Sequence, residues 1–209
     1  MTRVILFLYS LFFGRTDNKD RDMKNKILHC ALLLVLMMLG VPAAIAHGTA
    51  YDDPAAKGEP VKSVVELGAV NVSNYDATIT LLDTVRGKEA LQRLKDTDPA
   101  VKAPKQGYEY LLARVRFELE GRAVSDQGTF MLWSSPFQWL ANSADFRQYD
   151  GSNATPPEPA LKGPVQAGET KAGWIVFEVE QNESKPIMTF DPSSGGATGR
   201  GNLAFFKLY

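Results

Sequence analysis

Glu109-Tyr110-Leu111-Leu112-Ala113-Arg114-Val115-Arg116-Phe117-Glu118-Leu119-Glu120 is the stretch that decides the fold. Leu111, Ala113, Val115, Phe117 and Leu119 alternate with Leu112, Arg114, Arg116, Glu118 and Glu120. Strand side chains point by turns to opposite faces, so the alternation predicts one buried face and one wet face. Ile175, Phe177 and Val179 against Val176, Glu178 and Glu180 repeat it, and Ala77, Ile79 and Leu81 against Thr78 and Thr80 give a third strand. Weaker strand candidates are Val64 to Val72, Thr129 to Trp133, Phe137 to Leu140, Ile187 to Phe190 and Leu203 to Leu208. Turn clusters lie between them, such as Asp150-Gly151-Ser152-Asn153, Pro156-Pro157-Glu158-Pro159 and Ser193-Ser194-Gly195-Gly196. A half-wet strand must bury its apolar face against another sheet. The expected fold is therefore all-β, an antiparallel β-sandwich.

Gly87 to Lys95 breaks the period. Ala90, Leu91 and Leu94 share one helical face, and Glu89 and Arg93 stand i,i+4 on another. One short helix is expected here, between the second and third strands, capping an open end of the sandwich. Asp98-Pro99 and Ala103-Pro104 end it. His47 to Pro60 is poor in large apolar residues and rich in Gly, Pro and Ala, and reads as a flexible arm ahead of a domain over residues 61–209.

The segment before that arm concerns export. Met23-Lys24-Asn25-Lys26 is a basic start, Ile27 to Gly40 an apolar run, and Val41-Pro42-Ala43-Ala44-Ile45-Ala46 ends in small residues. Ala44 and Ala46 form the A-x-A pattern that a signal peptidase reads, so cleavage is expected between Ala46 and His47. Val4 to Phe13 is a second, shorter run, too short for the roughly 20 residues of a helical span. The simplest account takes Met23 as the true start and residues 1–22 as an upstream extension. Ile27 to Ala46 is also long enough to be a retained anchor, the one route by which the chain would keep contact with a membrane. Cys30, the only cysteine, follows His29 early in the run, where a lipoprotein signal would not place it. The processed chain then has no disulfide and depends on an apolar core.

The first 46 residues hold six Lys and Arg against three Asp and Glu, leaving 17 against 21 and a net charge of −4 in the remainder. That balance argues against a nucleic-acid partner.

Val85-Arg86-Gly87-Lys88-Glu89-Ala90, Gly107-Tyr108-Glu109-Tyr110-Leu111-Leu112-Ala113-Arg114-Val115, Phe137 to Tyr149, Gln166-Ala167-Gly168-Glu169-Thr170 and Gly173-Trp174-Ile175-Val176-Phe177-Glu178-Val179 follow one another in order. Together they resemble the signature of the DUF4352 family over roughly Val61 to Asp191. The resemblance implies an exported bacterial protein with a telokin-like, immunoglobulin-like sandwich, and it implies no activity. Asn142-Ser143-Ala144-Asp145-Phe146-Arg147 departs from it, because the family's aspartate-glycine turn is missing there.

The chemistry-bearing residues are sparse. Cleavage before His47 would leave an N-terminal His-Gly, as in copper polysaccharide monooxygenases, but their copper site needs a second histidine. His29 leaves with the leader, so the three nitrogen ligands cannot be assembled. Processing also removes the only cysteine, His47 is the one histidine left to pair with a serine, and no phosphate loop is present. Asp145, Asp150, Asn153 and Glu158 are oxygen donors near turns, without the spacing of a calcium loop. Asn71-Val72-Ser73, Asn153-Ala154-Thr155 and Asn182-Glu183-Ser184 match the N-glycosylation acceptor, which in a bacterial-type chain reads as chance. Neither an enzyme, a metal nor a cofactor is expected. The expected role is a binding domain for a cell-envelope or extracellular protein, with a glycan or small-ligand binder as the competing class. Its candidate contact residues are Trp133, Trp139 and Tyr149, weighed against packing in the core.

Overall fold

The computed structural model describes residues 47–68, 72–133, 137–193 and 200–209. Residues 1–46, with Ala44 and Ala46 of the expected cleavage site, lie outside the described residues. The elements are β1 (Pro60–Leu67), β2 (Ser73–Arg86), α1 (Lys88–Thr97), β3 (Tyr108–Gly121), β4 (Thr129–Leu132), β5 (Trp139–Asn142), β6 (Gly163–Gln166), β7 (Thr170–Glu180), β8 (Ile187–Phe190), β9 (Arg200–Gly201) and β10 (Ala204–Lys207). All pairings among these strands are antiparallel. One layer runs β7-β3-β2-β1-β9, and the other consists of β10-β8-β5 and the β4-β6 pair. The expected all-β sandwich with one short helix is the fold.

The alternation on β3 builds its core. Leu111, Val115, Phe117 and Leu119 are buried, together with Ile79 and Leu81 of β2 and Ile175, Phe177 and Val179 of β7. Phe117 meets the second layer through Phe130, with ring centroids 5.3 Å apart, and through Phe190 at 5.8 Å. At β4 and β5 the second layer has no continuous ladder. The buried side chain of Gln138 spans that gap.

The outer face of the first layer departs from expectation. Leu112 and Val176, expected in water, are buried with Tyr110, Val85 and Trp174 beneath Ala90 and Leu94 of α1. The helix therefore lies on the sheet's outer face and does not cap an open end. A bulge makes this possible. Leu81 pairs with Val115 and Asp83 with Arg114, leaving Leu82 as an extra residue that exchanges the faces of the residues after it. Val85 consequently comes opposite Leu112, on the helix side. Gly87 then turns the chain into α1 at φ 68°, a region open to glycine at little cost.

The segment from His47 to Pro60 is not a free arm. Ala55 is fully buried, its N–H donates to the carbonyl of Phe205 at 2.9 Å, and its own carbonyl accepts from Lys207 at 2.8 Å. Phe205 in turn donates to Gly48 at 2.8 Å. Backbone bonds attach this segment to β10, so large side chains are unnecessary, and the small alanine permits the close approach. The attachment covers an edge that would otherwise be open.

Candidate functional site

The three aromatics expected to contact a ligand do not form one surface. Trp139 is fully buried on β5, its ring centroid 4.7 Å from that of Phe190. Tyr149 is 4% exposed; it meets Tyr108 edge-on at 6.3 Å, and the guanidinium of Arg147 lies 5.3 Å from its ring centroid. Only Trp133, at 43%, reaches solvent. Trp139 and Tyr149 face inward because a sandwich of short strands needs large rings to fill the space between its layers. The expected three-ring platform is thereby corrected.

A different aromatic pair is displayed. The hairpin after β5 closes through Ser143, whose N–H donates to the carbonyl of Arg147 at 2.9 Å. Within it Phe146 sits at φ 69°, left-handed for a bulky residue, with its side chain 67% exposed. The ring stacks on Tyr51 at 3.8 Å between centroids and 21° between planes. Tyr51 meets Phe205 edge-on at 5.6 Å and donates its hydroxyl to the carbonyl of Ser143. Three segments distant in sequence thus converge: the docked N-terminal stretch, the hairpin and β10. Burial pushes the Tyr51 phenol above its ordinary range; a backbone hydrogen bond at Phe146 opposes this, and the charges of Asp145 and Glu183 add to the rise.

The sequence reading missed Phe146, although a signal was present. Asp145-Phe146 lies in the tight turn stretch Asn142 to Arg147, which contains no glycine. A residue replacing glycine in such a turn must accept positive φ.

Two grooves flank the outer face of β7. One, of about 570 Å³, lies between Phe137, the 152–156 loop and Trp174; the other, of about 460 Å³, lies between the 98–103 segment, Tyr110 and Glu178. They share Asn153 and Ala154 as a common wall. The guanidinium of Arg93 stands 5.3 Å from the Trp174 ring centroid.

Several titratable groups are held by partners within the fold. His47 Nδ1 lies 2.8 Å from Asp53 Oδ1. Arg147 binds both oxygens of Glu180, at 2.9 and 2.8 Å, holding that carboxyl below its usual range. The four oxygen donors considered for calcium have separate duties. Asp145 accepts from the Ser143 hydroxyl, Asp150 pairs with Lys105, Glu158 accepts from the N–H of Ala160, and Asn153 lines the grooves. Among the described residues no cluster of three or more His, Cys, Asp or Glu could hold a metal ion, and no helix is long and apolar enough to cross a membrane.

Compared with protein-family models, with curated proteins and with solved structures, the chain matches none.

Proposed function

We propose that this protein is an exported, non-enzymatic binding module that acts at the cell surface or outside the cell. Export rests on the leader pattern from Met23 to Ala46, and kinship with the DUF4352 family belongs to the same proposal. The observation that carries the binding role is Phe146. A bulky side chain at positive φ costs about 1–2 kcal/mol, a cost that glycine at this turn would avoid. Backbone strain of this kind clusters at binding and switch sites. Here the turn keeps a solvent-facing ring, braced by Tyr51, that the core does not use.

A pull-down tests the proposal, with residues 47–209 and their Phe146→Gly variant offered to cell-envelope extract side by side. Capture of the same species by the parent and its loss from the variant is the expected result. Equal capture by both would remove Phe146 from the interface.

A second reading, small-ligand binding, is supported by the 570 Å³ groove at Trp174, which falls within the size range of ligand pockets. Quenching of Trp174 fluorescence by a glycan panel, abolished in Phe137→Ser, would favour it.

A further inference from the structure

Two carboxylates are fixed on the hairpin that carries Phe146. Asp145 precedes it in the turn and is held by the Ser143 hydroxyl. Glu183 reaches over from the turn after β7, one oxygen accepting the N–H of Ala144 at 3.1 Å and the other that of Lys185 at 2.8 Å. Both carboxylates are oriented by N–H and O–H donors, which leave their charge in place. The guanidinium next in sequence, Arg147, is engaged by both oxygens of Glu180. An aromatic face carries negative partial charge, so ring and carboxylates attract the same kind of partner.

The geometry points to Phe146, Asp145 and Glu183 as a receptor for a basic side chain, foremost arginine, of a protein partner. This rests on the binding role proposed above and names the chemistry of the partner. A guanidinium can stack flat on a ring and still offer N–H groups at its own rim to carboxylates of the same hairpin region. A quaternary ammonium headgroup has no N–H to give them, and its known receptors enclose it with several rings. The net charge of −4 over residues 47–209 favours a basic partner and disfavours a second copy of the chain.

Residues 47–209 hold the whole sandwich and its core, and they serve for the test. The probes are an acetylated (Gly-Arg)6 peptide, its (Gly-Lys)6 and (Gly-Glu)6 counterparts, and phosphatidylcholine vesicles, titrated at low and at physiological salt. The arginine peptide is expected to bind most tightly and the glutamate peptide not at all. Phe146→Gly should weaken the arginine peptide about tenfold, with the thermal midpoint unchanged or raised. Asp145→Asn should weaken it severalfold, while Glu158→Gln leaves it unaltered.

Unchanged affinity in Phe146→Gly overturns the inference, as does an equal loss in Glu158→Gln, which would indicate diffuse attraction between charges. Vesicle binding in place of peptide binding overturns it in favour of a lipid headgroup. If Phe146→Gly abolishes envelope capture while no basic peptide binds, the cation assignment falls and the binding role stands.

Discussion

The carboxamide of Gln138 donates to the carbonyl of Met131 at 2.9 Å, and its oxygen accepts the N–H of Trp133 at 3.0 Å. One buried side chain thus replaces the ladder missing between β4 and β5. Gln138→Leu would leave both backbone groups without partners and should cost about 2–4 kcal/mol in urea denaturation. Gln138→Glu, similar in shape, has no N–H to give Met131 and brings a charge into the core, so it should cost at least as much. A loss below about 0.5 kcal/mol in either would mean that packing alone joins the two halves of this layer.

Gly173 should not tolerate a methyl group. A Cβ there would lie 2.5 Å from the nitrogen of Leu161, 2.6 Å from the carbonyl carbon of Ala160 and 2.7 Å from the oxygen of Pro159, all main-chain atoms. Gly173→Ala must push this loop off the edge of β7, where Trp174 donates to Pro159 at 2.8 Å. The expected cost is about 2–3 kcal/mol. Hydrogen exchange should quicken at the amides of Trp174 and Leu161 before the rest of the sheet responds.

Tyr149 gives the fold an alkaline limit. Burial, then the charges of Glu183 and Glu180, push its phenol up to about 12 from an ordinary 10.0, with Arg147 opposing. The folded state therefore favours the neutral phenol. This contribution is complete below about pH 10 and is lost as pH rises through 12. Tyr149→Phe should flatten the fall in urea midpoint between pH 9 and 12, on the order of that interval. At pH 7 it should change stability by less than about 1 kcal/mol, because the buried hydroxyl makes no hydrogen bond. Identical alkaline profiles for both proteins would exclude Tyr149 as the titrating group.

Leu94 pins α1 to the outer face of the sheet. It is fully buried, and Leu94→Asp would bring an unpaired charge against Leu112 and Val176 at a cost of several kcal/mol. Arg93→Ala removes the guanidinium near Trp174 and the pairing with Glu89 at 2.8 Å, and should cost about 1 kcal/mol. Chemical denaturation followed by Trp fluorescence separates the two cases. Equal losses would show that α1 is held by its rim and not by its apolar face.

Side-chain pattern made part of this fold legible in the chain. The alternation on β3 shows which face carries Phe117, and helical spacing shows that Ala90 and Leu94 act together. The same rule misplaced Leu112 and Val176, because Arg114 and Glu178, the next residues on that face, are charged and only the docked helix makes that side dry. The extra residue Leu82 leaves no mark in composition, yet it decides where Val85 points. Ala55 was beyond reach for another reason: its attachment uses main-chain atoms, which every sequence has. Strand β6 and the two-residue β9 were too short to show a period. At the site, aromatic content drew attention to Trp139 and Tyr149, whose size suits the interior. Phe146 went unnoticed because its importance lies in a backbone angle.

The docked N-terminal segment has a mechanical consequence. Ala55 pairs with Phe206 in parallel, unlike the strands of the two layers, and Phe205 is tied back to Gly48. Tension applied between residue 47 and Tyr209 runs along both pieces in opposite directions. It loads these bonds sideways and together, where an antiparallel pair would unzip one bond at a time. Pulled apart at these two ends, the domain would load this contact in shear and not by peeling.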